Sequence, residues 1–147
     1  MKIIIAGAYA IGTHLAKLLS RNDQDIVLID EDEERLAGIS SDYDLMTVHA
    51  SPSSIQALKD AGTGHADLYI GVTPDENMNM NSCILAKGLG AKRTVAKVNN
   101  YEFMNPELKD FFANIGIDSL IYPENLAAQD IVNGLKMSWV RQRWDVH

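Results

Sequence analysis

The feature that most constrains this chain is an alternation of short β-branched apolar runs with segments of helical length. The runs are "IIIA" (3–6), "DIVLI" (25–29), "LMTV" (45–48), "DLYIGV" (67–72), "RTVAKV" (93–98) and "DSLIY" (118–122). Between them lie "IGTHLAKLLS", "EERLAGIS", "PSSIQALKDAG" and "MNMNSCILAKGLG", several with a glycine at or near the end, where it commonly closes a helix. Runs that are apolar on both faces belong to strands covered on both sides, and a strand–helix–strand rhythm joins such strands in parallel. The expected fold is α/β: a Rossmann-like, doubly wound, parallel six-stranded sheet.

A chain of 147 residues, 46% hydrophobic and 22% charged, suffices for one ordinary domain with a real core. The formal charge of −7 argues against nucleic acid or an anionic membrane as the main partner, because binding on that scale needs a basic face. Cys83 is the only cysteine, which excludes an intramolecular disulfide and a thiolate zinc site built from one chain. The opening "KIIIA" is too short for a signal peptide or a membrane span, so the chain reads as cytoplasmic.

Within this frame "GAYAIG" (7–12) occupies the first strand-to-helix turn. In such a turn the first glycine permits the tight bend, the last permits close helix-to-strand packing, and the helix N-terminus presents unpaired amides to an anion. Asp30 ends the second run, 23 positions beyond Gly7, near the spacing of a carboxylate that accepts from a ribose hydroxyl. An acid there favours a free 2′-hydroxyl, hence NAD or an adenine nucleotide over NADP. Its replacement is expected to abolish stabilisation by ligand while leaving the ligand-free fold almost unchanged. The alternative is that both glycines serve packing alone and that Asp30 merely opens the acidic helix start "DEDEER".

Other candidates carry less chemistry. His14, His49, His65 and His147 are scattered, with no nucleophile or carboxylate at a telling spacing, and His14 reads as a surface or packing residue. Cys83 reads as a small buried hydrophobe, and Met78 and Met80 as core filling. No metal site is expected, and "DEDEER" reads as a solvated helix start. A nicotinamide oxidoreductase would also need a substrate domain, for which six strands leave no room.

Five segments, "KIIIAGAYAIGTHLAKLL", "DIVLIDEDEERL", "ALKDAGTGHADLYIGVTPDEN", "LAKGLGAKRTVAKVNN" and "IDSLIYPENLAAQDI", together resemble the regulator-of-potassium-conductance (RCK, or KTN) domain, in its TrkA-type N-terminal form. The resemblance runs in order over nearly the whole chain. It implies a cytoplasmic regulatory subunit without catalysis, peripheral at the inner face of the membrane, that binds NAD(H) first and AMP, ADP or ATP second. Its implied partners are a second copy, as homodimer or larger ring, and a membrane potassium-translocating subunit that it gates. Carried over by position, Gly7, Ala8, Tyr9, Ala10, Ile11 and Gly12 would hold phosphates, Asp30 the ribose, and Thr73 and Pro74 would flank the nucleotide. Ser51 would hydrogen-bond it, Lys97 stands where the family usually has an arginine, and Glu124 matches an acid near the subunit interface.

The chain departs from the family at three places. Tyr9 replaces the glycine whose missing side chain lets a pyrophosphate approach, Ala10 replaces a longer polar or basic residue, and Ala50 stands where a carboxylate is usual. The resemblance divides the chain into a Rossmann core over 1–122 and a crossover, dimerising helix over 123–147, in which Leu126, Ile131, Leu135, Trp139 and Val140 form an apolar pattern. An effector domain usually follows that arm, so the chain is expected to be a fragment. An NAD-dependent oxidoreductase domain and a ligand-free assembly scaffold are the competing readings.

Overall fold

A computed structural model describes residues 1–22, 24–39 and 43–123. All but Pro123 of the residues assigned to the crossover arm, with Glu124 and both tryptophans, lie outside them. All six apolar runs form strands: β1 (Lys2–Ala6), β2 (Asp25–Asp30), β3 (Met46–His49), β4 (Leu68–Gly71), β5 (Thr94–Lys97) and β6 (Ser119–Ile121). They make one sheet in the order β3-β2-β1-β4-β5-β6, with every neighbouring pair parallel. This is the doubly wound arrangement expected from the sequence.

Successive residues of a strand point to opposite faces, and the core divides accordingly. Ile3, Ile5, Leu28 and Ile70 pack on one face with Leu15 and Leu19 of helix α1 (Ala10–Ser20), whereas Ile4, Val27, Ile29 and Tyr69 pack on the other with Leu58 and Cys83. Leu15 and Leu19 are fully buried, and each stabilises the layer by about 2 kcal/mol. Helices α2 (Glu33–Ala37), α3 (Ile55–Asp60) and α4 (Glu76–Leu89) occupy the remaining segments read as helical. Short polar side chains start them: Asp32, Ser54 and Asp75 each accept a backbone amide of the first turn.

One element is absent from the sequence reading. After β5 the chain runs through short 3-10 turns at Tyr101–Met104 and Pro106–Leu108 into α5 (Lys109–Asn114). Asn100 and Asn105 cap these turns by accepting the amides of Glu102 and Glu107. His14 is exposed, and Cys83 is buried in the second core cluster, where burial pushes its thiol well above the ordinary range. Among the described residues no helix is long and apolar enough to cross a membrane.

The registers decide where a site is built. Ala6 at the end of β1 lies opposite Ile29 on one side and Gly71 on the other. The chain leaves β1 in one direction along the sheet and returns at β4 in the other, so the carboxyl ends of β1, β2 and β4 flank a crevice. Open α/β sheets bind ligands at such a reversal of strand order.

Candidate functional site

At the tip of β1 the backbone of Gly7 adopts a φ of +113°, and its amide donates to the Ile29 carbonyl at 2.8 Å. An added Cβ would meet Thr73 N at 2.9 Å and the Val72 carbonyl at 3.0 Å. A side chain is therefore refused both by the dihedral and by the space. Five residues on, a Cβ at Gly12 would stand 1.7 Å from the Gly7 carbonyl oxygen, so the first turn of α1 rests directly on the bend. Both glycines thus do what their spacing implied.

Tyr9 precedes α1 in extended conformation, and its carbonyl accepts the Thr13 amide at 2.9 Å, the first bond of the helix. No side chain caps this end. The amides of Ala10, Ile11 and Gly12 precede that first bond and so lack helical acceptors. None of these three residues, which the sequence reading gave to phosphates, lines the crevice itself.

Asp30 is 2% exposed, and its carboxylate is saturated from within the chain. Ala8 N donates to Oδ2 and Asp32 N to Oδ1, both at 2.7 Å. Arg35 Nε donates at 3.1 and 3.2 Å to the two oxygens, and Arg35 Nη2 lies 3.0 Å from Oδ1. Burial alone would raise the acid; the Arg35 hydrogen bond, followed by those from Asp32 and Ala8, outweighs it and holds Asp30 below the ordinary carboxylate value. Arg35 reaches Asp32 with its other nitrogen at 3.2 Å and stacks over the Tyr9 ring, its guanidinium carbon 4.0 Å from the ring centroid. The expectation that Asp30 could be replaced without harm to the ligand-free fold is corrected: two amides and a guanidinium would lose their acceptor.

Across the crevice a second group is built on neutral amides. Asn79, 1% exposed on α4, accepts from Thr73 N at 2.9 Å and from Thr73 Oγ1 at 2.7 Å. Its Nδ2 donates to the carbonyls of Thr73 and Lys97, both at 2.9 Å. Both ends of one amide thus tie the tips of β4 and β5 to α4. Glu76 continues the network by accepting the amides of Asn99 and Asn100.

The crevice between these groups has a volume of about 180 Å³ and is flanked by Gly7, Tyr9, Asp30, Arg35, Thr73 and Pro74. Glu31, Pro52, Asp75 and Met78 complete its wall. Met78, read as core filling, is half-buried there. Besides Ala8, Ala10, Ile11 and Gly12, two further expected residues lie outside this lining. The Ser51 hydroxyl pairs with that of Ser53 at 2.8 Å. The Lys97 ammonium donates to the Thr73 carbonyl at 3.4 Å, behind the wall, and burial pushes its pKa down. Arg35 and Asn79 escaped the sequence reading. The signal for Arg35 was its place one helical turn beyond Asp32, which returns it over the end of β2; that for Asn79 was a lone amide on the face of α4 that carries Cys83 and Ala86.

This geometry, a glycine bend under a helix N-terminus with a buried carboxylate beside it, coincides with a match over residues 3–123 to the model of the TrkA-N domain. The chain belongs to the TrkA-N family. It is 41% identical over 133 residues to the Trk system potassium uptake protein TrkA of Haemophilus influenzae, which covers 89% of this chain and 29% of the relative. The TrkA homolog of Archaeoglobus fulgidus is 34% identical over 131 residues, covering 88% and 29%. The chain thus spans under a third of the length of these two relatives.

Solved structures share the TrkA-N fold at lower identity. The TrkA-N domain of the inner membrane protein ybaL from Escherichia coli superposes with a TM-score of 0.71 at 13% identity, covering 92% of this chain and 94% of that one. The AMP-bound Kef C-terminal domain of Shewanella denitrificans gives 0.67 at 17%, covering 97% and 87%, and the NAD-bound GsuK channel gives 0.66 at 18%, covering 82% and 21%.

Proposed function

We propose that this chain is the nucleotide-sensing part of a regulator of a Trk-type potassium transporter. The reading rests on one observation above all: a buried, ionised carboxylate, Asp30, sits at the carboxyl end of β2 beside the Gly7 bend, at the point where strand order reverses. An adenine nucleotide enters the crevice with its ribose toward Asp30, its phosphate toward the amides of Ala8 to Gly12, and Thr73 and Pro74 along its flank. NAD(H) is the first candidate and AMP, ADP or ATP the second; fold relatives described as bound to NAD, ADP and AMP support the class. Ser51 and Lys97 act from the periphery of the site.

The partner is a membrane potassium-translocating subunit, supported by the Trk system names of the relatives, and the chain assembles as a homodimer or ring through the segment 123–147. It therefore works at the cytoplasmic face of the membrane without spanning it. The ligand acts by its difference in affinity between two arrangements of that assembly, and it can shift their balance by no more than this difference. Signal transmission, not catalysis, is the role, a reading supported by the potassium-uptake names of the relatives.

The test is a thermal-shift series with NAD, NADH, AMP, ADP and ATP. At 100 times its dissociation constant the best ligand raises Tm by about 5–10 °C, and Asp30→Asn removes most of that rise. A panel in which no adenine nucleotide moves Tm refutes the proposal. Such an outcome would favour the scaffold reading, for which the stacking of Arg35 on Tyr9 is the specific support.

A further inference from the structure

The carboxylate assigned to the ribose has no acceptor capacity left. Two carboxylate oxygens offer about four lone-pair positions. In this chain Asp32 N donates to Oδ1, Ala8 N donates to Oδ2, Arg35 Nε bridges both, and Arg35 Nη2 stands in ion-pair contact with Oδ1. Two of the donors are backbone amides fixed by the turn and by the start of α2. The other donor group is a side chain on a five-residue helix, and it is 32% exposed. It lies in the crevice wall beside the Tyr9 ring that covers its face.

We infer that Arg35 is a specificity-determining latch: it competes with the ligand's ribose cis-diol for Asp30, and Tyr9 holds it shut. A diol brings two O–H donors, the number of Asp30 positions that the guanidinium fills. Binding therefore exchanges the Arg35 bonds for the two hydroxyl bonds, while the Ala8 and Asp32 amides keep their places. A ligand without both hydroxyls has nothing to offer in the exchange and gains nothing from Asp30. Tyr9, which stands where relatives of this fold place a glycine, contributes through its ring: stacking on a guanidinium stabilises the closed arrangement. The latch rests on the nucleotide reading above and deepens it, by naming which part of the nucleotide the site tests and which residue does the testing.

The experiment is calorimetric titration of the 147-residue chain with AMP and with 2′,3′-dideoxy-AMP, for the wild type, Arg35→Ala and Tyr9→Ala. Removing the competitor tightens AMP about tenfold in Arg35→Ala, and removing the stacked ring tightens it about threefold in Tyr9→Ala. Dideoxy-AMP binds all three proteins with one affinity. Tyr9→Ala leaves every bond to Asp30 in place and so remains informative should Arg35→Ala fold poorly. AMP affinity that is unchanged or weaker in the variants overturns the latch, since Arg35 would then be holding the ligand or ignoring it. Equal tightening of dideoxy-AMP also overturns it, because the guanidinium would be a steric plug and no rival for the carboxylate. Failure of AMP to bind any of the three proteins overturns the latch, and failure of NAD as well removes the nucleotide reading itself, which separates the two outcomes.

Discussion

The two banks of the crevice are held by different physics. On the β2 side the residues are charged: Asp30, Arg35 and Asp32, with an aromatic ring stacked on the cation. On the β4–β5 side a neutral, buried amide, Asn79, binds Thr73 and the Lys97 carbonyl through both of its ends. Asp30 is buried, but its partner Arg35 is 32% exposed, so the guanidinium can trade the carboxylate for water at modest cost. A buried amide network has no water to fall back on, so each of its bonds is costly to break. One bank is thus suited to rearrange around a ligand, and the other is a fixed wall.

The sharpest way to break this contrast is to disturb what both banks lean on. Gly12→Ala drives a methyl group into the Gly7 carbonyl, and we expect a loss of about 4 kcal/mol, read as a fall in the urea midpoint large enough to leave the domain barely folded. A variant within 1 kcal/mol of wild type would mean that α1 slides freely on the bend. Next comes the rigid bank. Asn79→Ala strands the Thr73 amide and two carbonyls, and should cost about 3 kcal/mol in chemical denaturation. A cost below that of a typical surface change would show that water replaces the amide and that the wall is no more rigid than its counterpart.

The smallest effect is expected at the charged bank, and it carries a sign. Asp30 has a depressed pKa in the folded state, so its contribution is fully present above the unfolded value near 4 and disappears as pH falls through the folded value. Stability curves for wild type and Asp30→Asn should therefore converge as the pH is lowered below about 4, and run parallel above it. Asp67, also held low, by the Lys2 amide and Lys92, contributes acid sensitivity of the same sign to both proteins and cancels in the difference. Curves that stay parallel down to pH 2 would contradict a depressed Asp30.

The fold was legible because its determinants are local. Runs such as "DIVLI" need only their own side chains to declare a doubly covered strand, and every observed boundary falls within a residue or so of the run that marked it. Helix α5 escaped because Asn105, Pro106 and the mixed "ELKDFF" carry no clear helical period, while the 3-10 turns that lead into it are fixed by asparagine caps. The positions of Gly7 and Asp30 followed from strand ends, and that of Thr73 from the family resemblance. The saturation of Asp30 did not, since it depends on a helix packing back over the strand it follows. Tyr9 was read as an obstacle to phosphate; its partner on the neighbouring helix was invisible in a one-dimensional spacing.

The strand order also governs how the molecule is made. β1 leaves the ribosome before either of its partners, and its two flanking ladders need β2 and, much later, β4, which ends at Gly71. A nascent chain that stops short of β4 carries its central strand with one side bare. Such long-range parallel pairing is slow and open to association with other chains. Translation must therefore reach β4 before both sides of β1 are protected, which makes the stretch between these two strands the interval in which a chaperone matters most.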